Sequence, residues 1–163
     1  MPRVDTELGI RIFSRLHEAI RRGWVRACHD LSEGGLAVAA AEMAFAGGWG
    51  LDLSLDLVSY HSEDDSELGT APPEGRERQG AEIRLFSESA TRFLVEVDDR
   101  SCEEFERVMQ ISSAPGARRT TSWAARVGRV TQAPEFRVSW NSSDLIRESI
   151  AVLKECWQRP LRW

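Results

Sequence analysis

The run Cys28–Met43 limits this chain more than any other stretch: His-Asp-Leu-Ser-Glu-Gly-Gly-Leu, then an almost wholly apolar continuation. Trp24–Cys28, just before it, is short and apolar and is predicted to be a strand. The segment from about Gly35 to Ala46 has Glu42 as its only charge and is predicted to be a buried helix, stopped by Gly47-Gly48. A strand that delivers acids, a hydroxyl and paired glycines to a helix start suits an anion and its metal. The N–H groups and the dipole at a helix start favour phosphate. The carboxylate of Asp30 suits a magnesium ion bridging phosphate oxygens, and Gly34 and Gly35 let the backbone approach a ligand closely. A plainer account fits the same residues: Ser32 as an N-cap, and the glycines as a tight entry turn. On residues alone both accounts stand.

Upstream, Asp5 or Thr6 is placed to cap a helix whose apolar residues Leu8, Ile12, Leu16 and Ile20 recur at four-residue steps. Arg21-Arg22-Gly23 ends it. Downstream, Leu51–Leu57 alternates leucine with polar residues, the pattern of a strand with one wet face. Residues 59–80 hold acids, prolines and glycines with little to bury, and are expected to form an acidic flexible loop.

Glu82–Phe86 and Thr91–Val97 are predicted strands, joined as a hairpin by a turn carrying Ser87, Glu88 and Ser89. That turn reads first as ordinary turn formers with Arg92 and Glu88 as a salt bridge, and otherwise as a grip for a polar ligand. Ser101 is placed to cap a helix through about Ile111. Ser122–Val130 and Glu135–Trp140 are expected to pair across their short connection, and Asn141 or Ser143 to cap a last helix with Ile146, Ile150, Leu153 and Trp157 inward. The expected fold is α+β, one domain over residues 1–163, with a mixed β-sheet and helices packed mainly on one face. The other face would then need cover from elsewhere.

Composition removes several function classes. Acids outnumber bases, giving a net charge of −5, so the basic footprint of a nucleic-acid binder is missing. Its six tryptophans lie at element ends and not in a basic row, which suits core-edge packing better than base stacking. No apolar run is long enough to span a membrane. The cysteines Cys28, Cys102 and Cys156 are far apart and are read as reduced thiols of a cytoplasmic protein.

Val25-Arg26-Ala27-Cys28-His29-Asp30-Leu31-Ser32-Glu33-Gly34-Gly35-Leu36-Ala37-Val38-Ala39, continued through Ala41-Glu42-Met43-Ala44, resembles the motif of phosphoribosylformylglycinamidine synthase. Leu85-Phe86-Ser87-Glu88-Ser89 with Arg92-Phe93-Leu94-Val95 is similar to a second signature of that family, and Val127-Gly128-Arg129-Val130 to a weaker third. The resemblance runs from about Leu8 to Trp157 and fits the C-terminal domain of the synthetase subunit, the type shared with aminoimidazole ribonucleotide synthetase. It implies ATP, Mg2+ and glutamine-derived ammonia in converting formylglycinamide ribonucleotide to its amidine, a ligase step of purine biosynthesis. By that likeness Asp30 holds magnesium, Ser32 touches the nucleotide, Gly34 and Gly35 shape the loop, and Glu88 and Ser89 match a turn that holds substrate in the related domain of the same subunit.

Glu33 stands where the family commonly has Asp, which keeps the charge and lengthens the reach. The implied partners are N-terminal-type domains of the same enzyme and a glutaminase domain or subunit. These carry the family's catalytic histidine and glutaminase cysteine, so no catalytic residue is assigned here and the chain alone is expected to be inactive. Two other readings stay open: a different ATP-using enzyme of the superfamily, or a stand-alone regulatory or scaffold module.

Overall fold

Asp5 begins the first helix, as its position predicts: its Oδ1 accepts from the Leu8 N–H at 2.9 Å, satisfying a donor that a helix start leaves orphaned. The computed structural model describes residues 5–58, 77–88, 90–112, 120–122 and 124–161. In chain order these form α1 (Thr6–Arg21), β1 (Val25–Asp30), α2 (Gly35–Gly47), β2 (Gly50–Ser54), α3 (Glu77–Phe86), β3 (Phe93–Val97), α4 (Cys102–Val108), β4 (Gln110–Ser112), β5 (Thr120–Ser122), β6 (Gly128–Thr131), β7 (Glu135–Trp140), β8 (Ser143–Ser149) and α5 (Ile150–Gln158). The class is α+β, as expected. The chain divides into two compact units, Met1–Ser32 with Ser89–Arg126, and Glu33–Glu88 with Val127–Trp163.

In the first unit β1 and β3 run antiparallel, with Cys28 opposite Val95 and Asp30 opposite Phe93. The hairpin expected between Glu82–Phe86 and Thr91–Val97 is therefore replaced by a long-range pair. α1 turns Ile12, Leu16 and Ala19 inward. Ala19 joins Phe105 and Met109 in a core on which Trp24, Val25, Val95, Val97 and Ala124 pack. Asp98, just after β3, accepts the Arg100 N–H at 3.0 Å and a hydrogen bond from the Arg26 guanidinium. Ser101 does occupy the N-cap position of α4, but its side chain makes no capping bond. α4 stops at Val108, short of the expected Ile111, because Gln110–Ser112 pairs with Thr120–Ser122.

The second unit is built on α2, which packs against α3, α5 and β2. Contact on several sides explains why its sequence lacks a polar stripe; Leu36, Ala39, Ala40 and Ala44 are buried. Its sheet has the order β6-β2-β7-β8. The expected β6–β7 hairpin is overturned: β2 lies between them, antiparallel to β6 and parallel to β7. Leu53, Phe136 and Val138 fill one face of this sheet and are almost fully buried.

The opposite face carries an ion-pair ladder across all four strands. Arg129–Asp52 is 3.3 Å, Asp52–Arg137 3.7 Å, Arg137–Asp144 2.7 Å, Asp144–Arg147 4.0 Å and Arg147–Glu135 3.0 Å. Arg137 and Arg147 lie directly opposite each other, and the interposed carboxylates relieve a like-charge contact. This face is suited to water, so the expectation that it needs cover fails for this sheet.

Two further predictions are corrected. Glu82–Phe86 is the second half of helix α3, not a strand. Ala81 and Leu85, one turn apart, are buried. Gly80 faces Trp140 so closely that a Cβ would come 2.9 Å from the ring. Arg84 lies 5.1 Å from the Trp140 ring centre and donates to the Val58 and Gly80 carbonyls. The loop expected over 59–80 lies outside the described residues as far as 76, and 77–80 belong to α3. At the other end, residues 143–149 form β8, and the last helix starts at Ile150 with Ser149, not Asn141 or Ser143, as its cap: Ser149 Oγ accepts from the Ala151 N–H.

Candidate functional site

β1 carries the first motif further than the sequence suggests, ending at Asp30 and not Cys28. The Leu31 N–H extends the pairing with β3 by donating to the Arg92 carbonyl at 3.0 Å. Asp30 thus sits at a fixed strand end, with its side chain 62% exposed and 3.6 Å from His29 Nδ1. Ser32 follows and is exposed. It is not the cap of α2: that position belongs to Gly34, which has no side chain to offer.

The unit boundary falls after Ser32, so Asp30 and Ser32 belong to the first unit and Gly34, Gly35 and Glu88 to the second. Gly34 and Gly35 take φ of +76° and +61°, a left-handed pair that only glycine adopts without strain. A Cβ on Gly35 would lie 2.7 Å from the Leu85 carbonyl oxygen and 3.0 Å from Phe86 Cα. The close approach this glycine permits is therefore to the end of α3. Glu88 follows that end, and its Oε1 accepts from the Gly34 N–H at 2.9 Å. This joining of the two motifs was missed from sequence. The sequence instead offered Arg92, four residues on, as the partner of Glu88. Ser89 lies outside the described residues.

Other titratable groups in the first unit point away from nucleophilic chemistry. Burial, helped by Asp30, pushes the Cys28 thiol up and keeps it protonated. Burial pulls the half-buried Arg92 guanidinium down from its ordinary value. Among the described residues no three His, Cys, Asp or Glu side chains cluster as a metal cage. One exposed carboxylate at a strand end still suits Mg2+, which keeps much of its water and binds through one or two carboxylates plus phosphate oxygens. The donor set fits that ion and not a closed zinc or calcium site.

Comparison with known proteins gives this arrangement a family. The profile described as AIR synthase related protein, C-terminal domain, matches residues 2–141. The chain belongs to this family. Among its relatives, the phosphoribosylformylglycinamidine synthase subunit PurL of Synechococcus elongatus is 31% identical over 96% of this chain and 17% of the relative. PurL of Deinococcus radiodurans is 31% identical over 99% of the chain and 18% of the relative. PurL of Thermococcus gammatolerans is 33% identical over 94% and 17%. The chain thus spans about a sixth of the length of the curated relatives it matches.

Of solved structures, phosphoribosylformylglycinamidine synthase II from Thermotoga maritima has a TM-score of 0.68 at 18% identity, over 94% of this chain and 22% of that one. The T. maritima PurL complexed with ATP scores 0.62 at 19% identity, over 88% and 21%. At that identity the likeness establishes the AIR synthase-type C-terminal fold.

Proposed function

We propose that residues 1–163 form one C-terminal domain of a PurL-type phosphoribosylformylglycinamidine synthase, an ATP-dependent carbon–nitrogen ligase of purine biosynthesis. The observation that carries this is the match of PurL subunits from distant organisms along nearly the whole chain. In this reading the enzyme converts formylglycinamide ribonucleotide to its amidine with ATP and glutamine-derived ammonia. Its other parts are N-terminal-type domains of the same subunit and a glutaminase domain or subunit, working in the cytoplasm.

Within this domain Asp30, fixed at the end of β1, would hold Mg2+. That ion, when bound, neutralises phosphate charge. The β1–β3 pair fixes the Asp30 backbone, and its exposed carboxylate offers an anionic oxygen. Ser32, exposed just beyond, offers a hydroxyl to the nucleotide. Gly34 and Gly35 shape the turn into α2, whose first N–H groups favour an anion. Glu88 and Ser89 match a turn that holds substrate in a related domain of the same subunit; in this domain Glu88 accepts a hydrogen bond inside the protein. No residue here is assigned a catalytic proton or nucleophile, so the domain alone is expected to be inactive.

The test is amidine formation by the full-length natural protein with ATP, Mg2+ and ammonia in place of glutamine. Turnover supports the reading, and no amidine under conditions where a PurL enzyme works refutes it. Asp30→Asn is expected to weaken Mg-nucleotide binding about tenfold, as the metal loses an anionic ligand. Unchanged affinity by calorimetry would remove Asp30 from the metal.

A further inference from the structure

Helix α2 lacks the cap that its position calls for. Its N-cap residue is Gly34, which makes no side-chain capping bond, whereas most helix starts use a Ser, Thr, Asp or Asn oxygen. A carboxylate from elsewhere in the unit serves a different donor of this helix start: Glu88, 54 residues along the chain, accepts from the N–H of Gly34 itself at 2.9 Å, the bond that an N3 carboxylate makes in a capping box. A second contact acts on the next residue, where the Gly35 backbone rests against the Leu85 carbonyl and Phe86 with no room for a Cβ. Both left-handed glycines are therefore held from the end of α3. Two adjacent glycines left alone would sample many backbone states, and a turn that samples them presents its helix start poorly to any ligand.

We propose that Glu88 is a positioning residue. It locks the Gly34–Gly35 turn by holding the Gly34 N–H from the end of α3, and its carboxylate is engaged by the protein and not by the ribonucleotide. The inference rests on the reading of this turn as part of the nucleotide site. The amide of Gly34 is then already taken, and nucleotide contacts at the helix start fall to the donors that follow it. Glu88→Gln keeps an oxygen acceptor at the same reach, whereas Glu88→Ala removes it, so the two variants separate positioning from charge.

The experiment uses the full-length natural protein with three measurements on wild type, Glu88→Ala and Glu88→Gln: hydrogen exchange at Gly34 and Gly35, and calorimetric affinities for Mg-ATP and for formylglycinamide ribonucleotide. In Glu88→Ala the exchange should quicken and Mg-ATP affinity fall, each about three- to tenfold, the scale of one ordinary intramolecular hydrogen bond. Ribonucleotide affinity should stay the same, and Glu88→Gln should restore most of both losses. Unchanged exchange in Glu88→Ala overturns the proposal, as does a loss of ribonucleotide affinity in either variant or a Glu88→Gln as impaired as Glu88→Ala. If wild type binds no Mg-ATP, the functional reading fails instead, and the exchange arm still decides whether Glu88 holds the turn.

Discussion

Replacing Gly35 with alanine tests how tightly the start of α2 is built. The new Cβ would meet the Leu85 carbonyl oxygen at 2.7 Å, the Phe86 carbonyl carbon at 2.9 Å and Phe86 Cα at 3.0 Å. All three are backbone atoms, so no side-chain rotation relieves the clash. Holding a non-glycine residue at a left-handed φ costs about 1–2 kcal/mol, and overpacking adds about 1–3 kcal/mol. The expected loss is about 2–5 kcal/mol, a large part of the roughly 5–15 kcal/mol that keeps a domain folded.

Gly48 is the control. It ends the same helix at φ +73° with nothing within 4 Å of its would-be Cβ, so Gly48→Ala should lose only the conformational part, about 1–2 kcal/mol. Urea unfolding followed by tryptophan fluorescence compares the two, with the denaturant slope checked for constancy. A Gly35→Ala loss no larger than that of Gly48→Ala would refute the close packing of α2 on α3.

Other outcomes follow from the same geometry. Ser32→Ala should leave the melting temperature unchanged, because Gly34 and not Ser32 holds the cap position; a drop on the scale of a lost cap, about 0.5–2 kcal/mol, would contradict this. Stability should hold from pH 7 to about 5 and fall below about 4, near the ordinary aspartate value. The Asn141 N–H and the Ser54 hydroxyl hold Asp56 below that value, the Arg100 N–H and Arg26 do so for Asp98, and Arg137 does so for Asp144. A depressed folded-state pKa stabilises fully above the unfolded value and is lost as pH falls through the folded one. A urea midpoint that stays constant down to pH 3 would refute the assignment.

What could be read from sequence was whatever local chemistry decides. α1 shows its stripe and its cap, and α2 its apolar run between glycines, because those signals lie within the element. α3 was misread because Ile83 and Leu85 alternate like a strand, while its helical character depends on Ala81 and Leu85 being buried one turn apart. β8 was misread for the converse reason. Ile146 and Ile150 have helical spacing, yet Ile146 pairs with Val138 in the sheet and Ile150 opens α5. A short link between β6 and β7 suggests a hairpin, but nothing local announces that β2 from far upstream will insert between them. The motif residues at Asp30 and Gly34-Gly35 were visible as types in order. The partner of Gly34 was not, since its carboxylate lies 54 residues away.

The run of alternating charges from Arg129 to Glu135 has a consequence for assembly of the sheet itself. Sliding any strand by one residue would turn its leucines and valines to solvent and drive arginine and aspartate into the apolar layer. Each salt link is weak alone, but together they make the neighbouring alignments costly. The pattern therefore proofreads the register in which β2, from far upstream, enters beside three strands that follow one another closely in the chain.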